Sequence, residues 1–167
     1  SNVFLKLSQL KNAKTSLEKG LKIEPNNHKA IFQLGNILLM EKNYSEAIKL
    51  FDKSIEFKPD FWQAINNKGL AYFEKNNINL SIKHFEKALN ENPNDYETLF
   101  NLGSIFLLRN ELSRSLTYWL QDLSTEPNDP ELHYNIGVNY HYQQRLQDAI
   151  HFFTQCIQLQ PNHLNAH

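Results

Sequence analysis

Five prolines, Pro25, Pro59, Pro93, Pro127 and Pro161, each stand 34 residues from the next, and Gly35, Gly69, Gly103 and Gly137 keep the same interval. Nine of the eleven Gly and Pro residues therefore obey one period. A fixed period of this size means a stack of like units, each too small to bury its own apolar face alone.

Within a period the apolar pattern is helical. In residues 28–61, Ile31, Leu34, Ile37 and Leu38 form one stripe, and Tyr44, Ala47, Ile48, Phe51 and Ile55 form a second. Both follow a 3.6-residue spacing. Glu41, Lys42 and Asn43 break the pattern between them. Each unit thus reads helix, short turn, helix, closed by a proline that cannot continue the second helix. Asn94 with Glu97 and Asn128 with Glu131 match a capping box, and Pro130 suits a first helical turn. Asn43, Asn76, Asn77 and Asn110 suit left-handed turn positions.

Small residues recur where helices must approach. Besides the glycines, one column is Ala13, Ala47, Ser81, Ser115, Ala149, and another is Gly20, Ser54, Ala88, Asp122, Cys156. Large residues fill the spaces between them: Leu17, Phe51, Phe85, Trp119, Phe153, and Leu10, Tyr44, Ile78, Leu112, Leu146. Large alternating with small predicts interlocked helix pairs.

These columns resemble the tetratricopeptide repeat over essentially the whole chain. The resemblance implies an all-α, right-handed superhelical solenoid of antiparallel helix pairs, forming a single array over 1–167. Its units would be a partial repeat at 1–27, full repeats at 28–61, 62–95, 96–129 and 130–163, and the start of another at 164–167. Apolar end faces are expected to be exposed. Lys68, Asp122, His133 and Asn139 depart from the family pattern. Three of them cluster at the junction of the fourth and fifth repeats, where looser or differently angled packing is expected, because a buried unpaired Asp is costly. Gly69 is expected where two helix backbones nearly touch.

The resemblance also implies that first helices line an inner groove. Its columns are Phe32, Asn66, Phe100, Tyr134; Gln33, Asn67, Asn101, Asn135; Asn36, Leu70, Ser104, Val138; and Leu39, Phe73, Leu107, His141. A carboxamide both donates and accepts, so an Asn ladder can pair with any peptide backbone. Aromatic neighbours add apolar area at little entropic cost. The ladder looks like that of O-linked N-acetylglucosamine transferase repeats. The carboxylate clamp of related cochaperones is absent. Asn36 and Asn67 match its two Asn, but Phe32, Glu97 and Asn101 stand where it needs cations.

The remaining composition narrows the function. A net charge of −1 gives no general pull toward nucleic acid. Residues 1–27 carry +3 and residues 96–129 carry −3, which reads as ordinary solvated helix faces. Cys156 is alone, which excludes an internal disulfide, and it falls in a buried small-residue column. No apolar stretch is long enough for a membrane span, and no signal or transit peptide is recognisable. The expectation is a soluble, cytoplasmic chain, with the missing initiator Met pointing to a fragment or processed form. No phosphate loop, nucleophile elbow or His-Glu-x-x-His signature occurs. His163 and His167 have metal-ligand spacing but no carboxylate partner, so no metal and no cofactor is expected. The sequence therefore predicts a non-enzymatic scaffold that receives an extended segment of a protein partner in its groove. Two alternatives are the substrate-recognition arm of a larger enzyme, such as a glycosyltransferase, and a homo-oligomer built through exposed end repeats.

Overall fold

The computed structural model describes residues 2–162, with side chains from residue 10 onward. Among the described residues there are nine helices and no strand. They are α1 (Asn2–Ile23), α2 (His28–Met40), α3 (Tyr44–Phe57), α4 (Trp62–Glu74), α5 (Ile78–Glu91), α6 (Tyr96–Leu108), α7 (Leu112–Thr125), α8 (Pro130–Tyr142) and α9 (Leu146–Leu159). The chain divides into two compact units, Ser1–Glu91 and Asn92–His167.

Local chemistry explains the helix boundaries. Asn27, Asp95 and Asp129 cap α2, α6 and α8, each side chain accepting from backbone N–H groups of the first turn. For α6 and α8 the cap is thus one residue later than Asn94 and Asn128. The carboxylate next to each Asn takes the role, and Pro130 occupies the first turn of α8. Left-handed backbone occurs at Lys42, Asn76, Asn110 and Gln144, with φ near 60°. This corrects Asn43 and Asn77, which lie one residue past the turn. Lys42 and Gln144 hold a conformation that Asn adopts more readily.

In unit 1 the core is built from Ala47, Ile48, Phe51, Phe61, Ala64 and Ala71, with Phe32, Leu39 and Tyr72 packed against it. In unit 2 it is Leu116, Trp119, Leu132, Ile136, Tyr140 and Ala149, flanked by Phe100, Leu107 and Phe153. The glycine column makes these pairings fit, though not by backbone touching backbone. A Cβ on Gly69 would lie 2.9 Å from Phe85 Cδ1, and one on Gly35 would lie 2.6 Å from Phe51 Cε1. Gly103 faces Trp119 and Gly137 faces Phe153 in the same way. Each glycine is the seat of an aromatic ring from the second helix of its pair.

The departures from the pattern are resolved by partners. Lys68 Nζ lies 2.5 Å from Asp52 Oδ1 and 5.8 Å from the centre of the Tyr72 ring. His133 holds Nδ1 2.9 Å from the Asp129 carbonyl oxygen. Asn139 is fully buried, donates from Nδ2 to the Leu112 carbonyl at 3.1 Å, and accepts from Gln143 Nε2 at 2.7 Å. It ties α8 to the start of α7 rather than loosening the pair. The α7–α8 contact is less extensive than α3–α4. Asp122 is nevertheless buried, and its Oδ1 has no partner. On the outer side of α9, Leu146 and Ile150 are more than half exposed, whereas the counterpart of Ile150 in α7, Leu116, is buried.

Two measurements of thermal or urea unfolding check this packing. Gly69→Ala is expected to cost about 1–3 kcal/mol by overpacking, and Phe85→Leu in the same chain should recover part of that loss. In the small-residue columns, Ser54 Oγ donates to the His28 carbonyl at 2.9 Å, while Ser81 Oγ is buried without a partner. Ser54→Ala should therefore destabilise by about 1 kcal/mol, and Ser81→Ala should be neutral or stabilising.

Candidate functional site

The first helix of each pair carries the residues expected to form the inner wall. In unit 1 these lie on α2 and α4. The Phe32 ring turns inward, with its centre 6.0 Å from Phe51 and 5.0 Å from Phe61. Half-buried, it floors the wall and seals the core at once. Asn66 is only 3% exposed and donates from Nδ2 to Asn67 Oδ1 at 3.2 Å. It is a supporting residue beneath the surface, which corrects its placement in the groove. Asn67 Nδ2 in turn donates to Asn36 Oδ1 at 2.7 Å. The carboxamides of α2 and α4 are thus bonded to one another, so part of their pairing capacity is already used. Leu70 and Phe73 are half-buried, and Gln33 is exposed.

Unit 2 carries the same columns on α6 and α8. The Phe100 ring lies 6.4 Å from Trp119, and the Tyr134 ring lies 5.8 Å from Phe153. Ser104 Oγ donates to the Phe100 carbonyl at 2.9 Å, and Trp119 Nε1 donates to the same oxygen at 3.3 Å. Asn101 and Asn135 occupy the same position of the two helices, both half-buried. Among the described residues neither side chain is held in a hydrogen bond. Val138 is half-buried, and His141 is exposed with its ring 6.3 Å from Tyr142. The aromatic column is therefore a floor turned toward the pair's interior, and the polar column stands above it.

Beside unit 1's wall, a cavity of about 500 Å³ opens between α1 and α2, lined by Ala13, Leu17, Gly20, Ala30 and Gln33 among others. Ala13 and Gly20 are exposed here, although their counterparts Ala47 and Ser54 are buried. The small-residue columns marked α1 as a second helix, but they could not show this opening.

Besides the phenols of Tyr44 and Tyr96, both shifted up, three groups are electrostatically unusual. Burial pushes His84 down to about 4, aided by Lys68; its ring stacks on Tyr72 at 5.3 Å and its Nδ1 is unpartnered. Burial pushes the Cys156 thiol up. Burial, then the charges of Asp129, Glu126 and Asp95, raises Asp122 to about 7. A carboxyl that enters the core largely protonated avoids most of the desolvation penalty that a carboxylate would incur. Among the described residues no group of His, Cys, Asp and Glu could hold a metal ion. The His163 and His167 pair lies outside the described residues. No helix among those described is long and apolar enough to cross a membrane.

A family model described as the TT21 fifth ARM repeats domain matches residues 70–163, more than half of the chain. A second, described as Tetratricopeptide repeat, matches residues 4–67. No curated protein matches by sequence. Among solved structures, YrrB, described as a TPR protein with an unusual peptide-binding site, superposes with a TM-score of 0.77 at 22% identity, over 99% of this chain and 85% of its own. MamA from Desulfovibrio magneticus RS-1 gives 0.81 at 19% identity, over 96% and 90%. PilF of Pseudomonas aeruginosa gives 0.83 at 18% identity, over 93% and 71%. At these identities the likeness is one of fold.

Asp122 sets a pH dependence of definite sign. Its folded value is above the unfolded one of 3.8, so its contribution to stability is full below pH 3.8 and is lost as pH rises through about 7. Asp122→Asn should remove that loss, leaving a variant more stable than the parent at pH 8 and little changed at pH 4. Melting curves across this range check it, and parallel slopes in the two proteins would contradict it.

Proposed function

The chain belongs to the tetratricopeptide repeat proteins, a fold that serves as a protein–protein interaction scaffold, and on that premise we propose that its first-helix walls bind an extended segment of a partner polypeptide. The observation that carries this reading is the state of Asn101 and Asn135. They recur at one position of α6 and α8, half-buried above an aromatic floor, with carboxamides that no described residue engages. Each can donate to a backbone carbonyl and accept from a backbone N–H of a strand laid across it, whatever that strand's side chains are. Phe100 and Tyr134, braced by Trp119 and Phe153, offer rigid apolar area beside them. On α4, Asn67 is already bonded to Asn36, so this reading gives unit 2 the larger share of backbone recognition. YrrB, of the same fold, is described as having a peptide-binding site.

A phage-displayed library of linear peptides tests the proposal. The wild-type chain should enrich a defined set, and Asn101→Ala/Asn135→Ala should bind that set at least roughly tenfold more weakly, the scale of two lost hydrogen bonds. Its melting temperature should stay within a degree or two, because neither side chain is tied into the fold. A library that yields no enriched peptide, or a double variant with unaltered affinity, rules the proposal out.

A further inference from the structure

Two apolar faces of this chain lack the helix that covers their counterparts. The first is on α9, in unit 2. Ile48 of α3 and Leu116 of α7 hold one position of the repeat and are 9% and 8% exposed. Ile48 shares a core cluster with Ala64 and Ala71 of the following helix, and Leu116 shares one with Leu132 and Ile136 of the helix that follows it. Ile150 holds the same position in α9 and is 57% exposed. Leu146, one turn earlier, is 56% exposed, whereas Tyr44 and Leu112 at its position are half-buried. Four residues apart on one helix, Leu146 and Ile150 form a single exposed apolar ridge.

The second face is on α1, in unit 1. Ala47 and Ser54 are fully buried in α3, and Ser54 is fastened to the start of α2. Ala13 and Gly20 hold the same positions in α1 and are exposed. A Cβ on Gly20 would meet nothing within 4 Å. With Ser16, Leu17 and Ala30 these two line the cavity of about 500 Å³ between α1 and α2, and Ile23 at its end is 82% exposed. Small side chains hollow this face where large ones raise the face of α9. Charge matches shape. Residues 1–91 hold fourteen Lys against ten carboxylates, +4, whereas residues 92–167 hold three Arg against eight carboxylates, −5. Five of those Lys stand on α1, against Glu18 alone. The one carboxylate of α9, Asp148, is met by Arg145 at 2.7 Å, so covering the ridge strands no charge. Setting α1 on α1 would oppose like charges, and setting α9 on α9 would bring two acidic units together. Setting α9 of one copy on α1 of another joins opposite charges.

We propose that the Leu146–Ile150 ridge of one copy docks in the α1–α2 groove of a second copy, so that the chain associates head to tail. The contact is heterologous: each copy uses one face of each kind, and a pair still has a ridge and a groove free for further copies. Of the wall residues only Gln33 borders this groove, and Asn101 and Asn135 lie on other helices. Self-association and peptide binding can therefore fail independently.

Sedimentation velocity of the whole chain over a dilution series tests this. The mass of the wild type should rise with concentration through the dimer to larger species. Leu146→Gln/Ile150→Gln removes the ridge, and Ala13→Gln/Gly20→Gln fills the groove. All four positions are exposed, so melting temperatures at low concentration should stay at or slightly above the wild-type value. Each variant alone should associate at least roughly tenfold more weakly, the scale of two apolar side chains left in water. Mixed in equal amounts, the two should form a dimer and nothing larger, because one keeps the groove and the other the ridge. Leu108→Gln, which removes an exposed leucine of α6 outside both faces, should change nothing, and Asn101→Ala/Asn135→Ala should assemble as the wild type does. A wild-type chain that stays monomeric overturns the proposal, as does a mixture that forms no dimer. A groove variant that still dimerises alone would assign the contact to α9 on α9, and a ridge variant that does so would assign it to α1 on α1; either result refutes head-to-tail docking. Equal weakening by Leu108→Gln would reduce the effect to general surface hydrophobicity and refute it too.

Discussion

The seating of an aromatic ring on a glycine holds each helix pair together. Gly35, Gly69, Gly103 and Gly137 carry no Cβ where Phe51, Phe85, Trp119 and Phe153 press against the first helix. Glycine costs up to about 1 kcal/mol in a helix interior, so its presence at these four places needs a packing reason. The ring supplies it, since burying an aromatic side chain returns more than that. The same contact fixes the rotation of each first helix. With one face locked on the ring, the face bearing Asn67, Asn101 and Asn135 is turned away from the second helix of the pair. Wall chemistry is thus a consequence of core chemistry.

That coupling explains what could be read in advance. Period, helix pairing, the small and large columns and the buried state of Cys156 all follow from residue size and spacing, which a sequence states directly. Contacts that depend on one side chain finding another are less legible. The caps moved from Asn94 and Asn128 to Asp95 and Asp129 because two adjacent residues both qualified and the backbone chose. Asn66 and Asn67 are neighbours of the same type, yet one is buried and supports the other. Lys68 stood out as a misfit in an apolar column, but its partner Asp52 lies on the preceding helix, and nothing in the period singles that residue out. Asn139 gave the opposite lesson, because a polar residue in an apolar column is a fastening when its amide reaches a carbonyl such as that of Leu112.

The wall itself shows why an equal spacing of like residues does not guarantee equal roles. Asn67 and Asn101 hold the same position in successive repeats, but the next column places Asn36 within reach of Asn67 on one side and Ser104 near Asn135 in sequence register on the other. Ser104 turns back to the carbonyl of Phe100 and not to Asn135. The neighbouring column therefore decides whether a carboxamide such as that of Asn67 is tied into the fold. The aromatic residues obey the same logic. Phe32, Phe100 and Tyr134 are half-buried because each meets the ring seated on its own helix's glycine, so the apolar floor of the wall is an extension of the core.

Asp122 is where the two levels collide. Its column demands something small and uncharged, as Ser54, Ala88 and Cys156 show by being fully buried at the same position. A carboxyl fits the volume but not the dielectric, and three carboxylates around it add repulsion to the desolvation cost. A change to Ser or Ala, the residues that Ser54 and Ala88 place at this position, would remove both penalties. The strain falls at the junction of α7 with α8, whose contact is thinner than that of α3 with α4.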